Sequence, residues 1–63
     1  SVMTPTPAAV ENMAESLHME TLKVDSLYTR IWEIATPLER DVARMQARFV
    51  LTVVIPAAQA EAS

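Results

Sequence analysis

Val10, Leu17, Val24, Ile31, Leu38 and Met45 stand seven residues apart, so a single apolar stripe runs through most of the chain. That recurrence returns side chains to nearly the same side of an α-helix after two turns, and such a stripe is stable in water when it packs against other helices. Three residues on, Met13, Leu27 and Ile34 are also apolar, and one further on Ala14, Tyr28, Ala35, Val42 and Phe49 widen the seam. The width suits a helix facing a bundle better than the narrow seam of a two-stranded coil. Glu20, Asp41 and Arg48 interrupt it, which disfavours a long regular coiled coil.

Glycine is absent altogether. It is the residue that most often ends helices, forms tight hairpin turns and lets backbone approach phosphate, so its absence disfavours hairpin-rich β folds and phosphate-cradling loops together. Good helix formers such as Ala, Glu, Leu, Met, Arg and Gln dominate instead, and the fold class that follows is all-α. At 63 residues the chain makes one domain at most, and so short a chain buries too little surface to be comfortably stable without a staple. It has no cysteine for a disulfide and a single histidine, too few for a zinc cluster. Association with other chains is the remaining route to stability.

A net charge of −3 opposes contact with anionic surfaces, so neither nucleic acid nor an acidic membrane is the expected partner. The charge is unevenly spread. Residues 1–35 carry Glu11, Glu15, Glu20, Asp25 and Glu33 against Lys23 and Arg30, whereas residues 36–56 carry Arg40, Arg44 and Arg48 against Glu39 and Asp41. Such halves favour antiparallel contact, within one chain or between chains.

Residues 1–6 read as an extended arm, because two Thr-Pro pairs bias the backbone away from helix. Thr6 is placed to cap a helix whose first position is Pro7, where a missing N–H costs nothing. A first helix over about 7–35 is expected, with Asp25-Ser26 as its one weak point, since both residues favour caps over helix interiors. Thr36-Pro37-Leu38-Glu39 is the clearest local signal. Thr36 can accept from the Glu39 N–H while the Glu39 carboxylate reaches back to the Thr36 N–H, a capping box that opens a second helix over about 37–55.

Residues 49–55, Phe-Val-Leu-Thr-Val-Val-Ile, are rich in β-branched side chains and apolar all round. No second strand-like run exists to pair with them, so a buried helix end is expected there. Pro56 should end it and residues 57–63 form a flexible tail, which leaves 7–56 as a helical interaction domain. With only Ala35-Thr36 between them, the helices join as a helical hairpin or as one sharply kinked rod, the hairpin being preferred.

No pattern in the chain carries chemistry. Glu15-Ser16-Leu17-His18 matches the Glu-x-x-His spacing of di-iron bundles, but if Leu17 faces a core then Glu15 and His18 point to solvent. An exposed histidine among surface acids is the expected arrangement. Ser16 and Ser26 share one histidine and lack a glycine elbow, and Glu11 with Glu15 lie on an outer helix face rather than in a cleft. No catalytic residue, metal ligand or cofactor is assigned. The apolar run before Pro56 is less than half of the roughly 20 residues a membrane span needs. Shallow burial of Phe49 to Ile55, with Arg44 and Arg48 at the rim, is the one membrane contact left open, and it is not the expected one.

The sequence thus predicts a non-enzymatic helical protein–protein interaction module, or a small structural or accessory subunit, whose two helices assemble into a multi-chain bundle. The expected interface takes Val10, Met13, Leu17, Val24, Leu27, Tyr28, Ile31 and Ile34 from the first helix and Leu38, Val42, Met45, Phe49 and Val53 from the second. Trp32 is costly to leave in water, so it either widens the same core beside Tyr28 and Ile31 or anchors a second protein contact. The partner is a second copy or a larger protein. The alternative function is a small regulator, antitoxin-like or chaperone-like, that occludes one specific protein and is partly molten until it binds.

Overall fold

Thr6 and Thr36 each precede a proline, and both open helices as that pairing dictates. The computed structural model describes residues 4–62, in which α1 runs Pro7–Val24 and α2 runs Pro37–Phe49. Ser1 to Met3, the first half of the expected arm, lie outside the described residues, as does Ser63. Thr6 is extended and its hydroxyl accepts from the Ala9 N–H at 3.1 Å. Thr36 accepts from the Glu39 N–H at 3.2 Å while Glu39 Oε1 takes the Thr36 N–H at 3.2 Å, so the capping box is complete. A short 3-10 turn, Trp32–Ile34, stands between the helices, and a π-helical segment, Val50–Val54, carries α2 into α3, Ile55–Ala62. The described residues hold no strand, and the fold is all-α.

The two long helices form an antiparallel hairpin. Glu11, in the first turns of α1, lies against Arg44 in the second half of α2, while Thr21 near the end of α1 shares a groove with Leu38 and Glu39 at the start of α2. The joint differs from expectation, because the first helix ends at Val24 rather than near Ala35. Asp25 closes it at φ −129° and ψ 68°, its N–H bonded to the Thr21 carbonyl at 2.9 Å. Residues 25–36 then reverse the chain, and no described residue has positive φ. A tight turn commonly needs a left-handed residue, and without glycine the reversal is spread over a longer connector. Ile31 and Ala35 are both extended, and the 3-10 turn between them sets Trp32 into the core. The weak Asp25-Ser26 point is where the helix breaks, and the reversal that follows brings Trp32 back into the core with residues of α1 and α2.

A second difference lies beyond Phe49. Pro56 does not end the helix, and residues 57–62, expected as part of a flexible tail, are helical in α3. A proline inside an α-helix lacks its N–H and crowds the carbonyl four residues back, here that of Thr52. The helix widens instead. The Ile55 N–H donates to the Val50 carbonyl, five residues back, and the Thr52 hydroxyl donates to the Arg48 carbonyl at 2.7 Å. The π turn offsets the backbone ladder by one residue just ahead of Pro56, and the helix continues through the proline as α3.

The seam between the two helices is made of small residues. Val10 and Ala14 on α1 meet Ala43 and Ala47 on α2, and Trp32 joins them from the connector. Each helix offers a row with a four-residue period, the ridge that packs into the groove of a neighbouring helix. Alanine on both sides lets the backbones approach closely, and Ala14 and Ala47 are wholly inaccessible. Met13, Leu17 and Leu51 pack at the margins.

Candidate functional site

The inward side of the hairpin is locked by polar contacts. His18 follows Val10 and Ala14 at the same four-residue spacing and is buried with them, not exposed as the seven-residue stripe implies. Its Nε2 donates to the Arg30 carbonyl in the connector, which fixes a proton on that nitrogen. The imidazole meets Trp32 edge-on, with centroids 5.5 Å apart and planes at 62°. Arg40 holds the same tryptophan, its guanidinium 5.2 Å from the ring centroid. Its Nη2 donates to the carbonyls of Trp32 and Glu33 at 2.9 and 3.2 Å. Glu15 stays exposed, so the Glu-x-x-His pair is divided between solvent and core. Among the described residues no three His, Cys, Asp or Glu side chains gather as a metal site.

The charged residues close the hairpin in the antiparallel sense that their uneven distribution predicts. Arg44 grips Glu11 with two bonds, Nε to Oε2 at 2.9 Å and Nη2 to Oε1 at 3.0 Å, and its Nη1 reaches Asp41 at 3.2 Å. Hydrogen bonds from Arg44 hold the Glu11 carboxyl below its ordinary range, and the same bonds push Arg44 up. Arg30 from the connector bonds Glu39 at 2.9 Å. The Thr36 N–H, followed by the Thr36 hydroxyl and Arg30, stabilises the Glu39 carboxylate and lowers its pKa to about 2.

The outward side of α2 is different in kind. At about 3.6 residues per turn, Leu38, Val42, Met45 and Phe49 share one side of the helix, opposite Ala43 and Ala47. Leu38 is 73% exposed, Met45 63% and Phe49 58%. Val53 and Val54 continue the surface onto the π segment, which is helical but holds no buried residue and so is not the buried helix end its apolar composition predicts. An open groove of about 560 Å³ runs between Leu17 of α1 and Met45, Phe49, Val50 and Val54. Around the connector Val24, Leu27, Tyr28, Ile31 and Ile34 are also exposed, and Tyr28 lines a second groove with Leu38 and Val42, which joins the two surfaces. Contiguous exposed apolar surface of this kind is rarer on a folded monomer than single scattered apolar residues.

The seven-residue stripe therefore does not form one seam. Val10 faces the internal core, Met13 and Leu17 pack at its margin, and Trp32 is buried within the chain rather than offered to a partner. Val24, Leu27, Tyr28, Ile31, Ile34, Leu38, Val42, Met45, Phe49 and Val53 remain on the surface. What the stripe hides is the importance of His18, Ala43 and Ala47. Their signal is the four-residue period of 10, 14 and 18 against 43, 47 and 51.

Compared with protein-family models, curated proteins and solved structures, the chain matches none. No helix among the described residues is long and apolar enough to cross a membrane. The molecule is defined by its own geometry, a two-helix hairpin with a small-residue seam inside and a large-residue face outside.

Proposed function

We propose that this chain is a non-enzymatic helical interaction module whose working surface is the outward face of α2 and its continuation through the π segment. The division of α2 carries this reading, with alanines inward and Leu38, Val42, Met45 and Phe49 outward. Monomer stability alone favours the opposite choice, since burying a Leu, Met or Phe side chain stabilises by about 1.5–3 kcal/mol and alanine contributes much less. The capping box, the Glu11–Arg44 pair and the His18–Trp32–Arg40 cluster hold the hairpin in a form that keeps the large residues in water. The π segment supports the reading too, because such widened turns are frequent at functional surfaces and this one adjoins the exposed face.

A photo-crosslinking residue introduced at Met45, with a control at the exposed Glu15 of α1, tests the proposal. Covalent protein adducts formed in cells from position 45 and not from position 15 are expected. Equal labelling from both positions, or no adduct from either, overturns it.

A further inference from the structure

Building on that reading, we propose that the outward face of α2 binds a second copy of this chain, α2 lying antiparallel against α2 of the partner about a twofold axis between Ala43 and Arg44. Leu38, Val42, Met45 and Phe49 recur at intervals of four, three and four, a pattern symmetric about its middle. Reversed, it matches itself. Leu38 meets the partner's Phe49 and Val42 meets the partner's Met45, and the symmetry makes each contact twice.

Charge selects the direction. Asp41 and Arg48 stand seven residues apart on one edge of the face, and antiparallel pairing sets Asp41 beside the partner's Arg48 at both ends. The Asp41 side chain is 72% exposed, held at 3.2 Å by an Arg44 that also grips Glu11. Arg48 is exposed and forms no ion pair among the described residues. The other edge sets Glu39 beside the partner's Gln46, so no like charges meet. A parallel pairing would bring Asp41 to Gln46 and Arg48 to Val53 of the other copy, leaving both charges without an opposite.

Area points the same way. The chain exposes 4847 Å², roughly 800 Å² more than the about 4000 Å² of a compact protein of 7.0 kDa. Part of that surface lies on the outward face of α2, where Leu38, Val42, Met45 and Phe49 are 41–73% exposed, and a standard interface hides about 800 Å² of each partner. The same pairing carries the partner's π segment past the start of α2, beside which Tyr28 is 82% exposed.

Light scattering and sedimentation of the 63-residue chain from micromolar to millimolar concentration test the proposal. A dimer mass is expected. Asp41→Arg and Arg48→Asp should each raise Kd about tenfold or more, and the two together should return it to within about threefold of the original. Rescue by the double variant shows that the single changes act through the contact and not through the fold. Asp41→Asn, which removes one charge without reversing it, should weaken the dimer about two- to fivefold. A monomer at every concentration, or a dimer whose Kd the charge exchange neither weakens nor rescues, overturns the proposal. If the chain is monomeric while position 45 still crosslinks to other proteins, the second copy is the wrong occupant and the interaction module stands. If position 45 yields no adduct at all, both fall.

Discussion

The two sides of α2 share one backbone and follow opposite rules. Toward α1 the residues are small, fully buried and framed by directional contacts: a capping box, a two-bond arginine clamp, and a histidine and an arginine on one tryptophan. Away from α1 they are large and exposed, and nothing directional fixes them. The contrast shows that side-chain size does not by itself decide what goes inside a two-helix chain. A single pair of helices leaves one side of each uncovered, so close backbone approach through alanine fits the one contact the monomer makes. The large side chains on the outer side of α2 would be covered only by a further layer.

The harshest way to break the inner side is Trp32→Ala. The single tryptophan joins connector, α1 and α2, and its loss should cost about 3–5 kcal/mol, removing the cooperative melt followed by circular dichroism. Next comes Ala47→Leu, which forces a large group between helices in contact and should destabilise by about 1–3 kcal/mol in the same melt.

Acid probes the directional contacts more gently. Glu39 is lowered from 4.5 to about 2 in the folded chain, so its contribution is complete above the unfolded value and is lost as pH falls through that window. Glu11 is depressed by Arg44 and acts in the same direction. Melting temperature should therefore fall on acidification below about pH 4.5, and Glu39→Gln, which retains the capping geometry, should flatten part of that slope. The smallest effect is the most telling for the contrast. At a dilution where the chain is monomeric, Met45→Gln should shift stability by no more than about 0.5 kcal/mol; a larger loss would mean that the outward side supports the hairpin after all.

Much of this was legible from residues alone, and the limits follow from distance along the chain. Thr6 with Pro7, and Thr36 with Pro37 and Glu39, announce their helices because a cap involves residues within one turn. The seven-residue stripe misled because it counts apolar residues without asking which neighbour they meet. Val10 and Met45 look equivalent in the stripe, yet Val10 is buried and Met45 is 63% exposed. His18 went inside because a carbonyl and an indole twelve and fourteen residues later came to meet it, a match with no local trace.

By itself the sequence determined the all-α class, both helix starts and the helical state of the run after Phe49. These rest on caps, on the absence of glycine and on the lack of a strand partner, all properties of short segments or of composition. Only the tertiary structure decided where α1 ends, which side of α2 is inside, and how the helix passes Pro56. The first two depend on how closely distant helices approach, which packing between segments sets; the third depends on the bond from the Ile55 N–H to the Val50 carbonyl, one of two local responses to Pro56 between which the residue order alone does not choose.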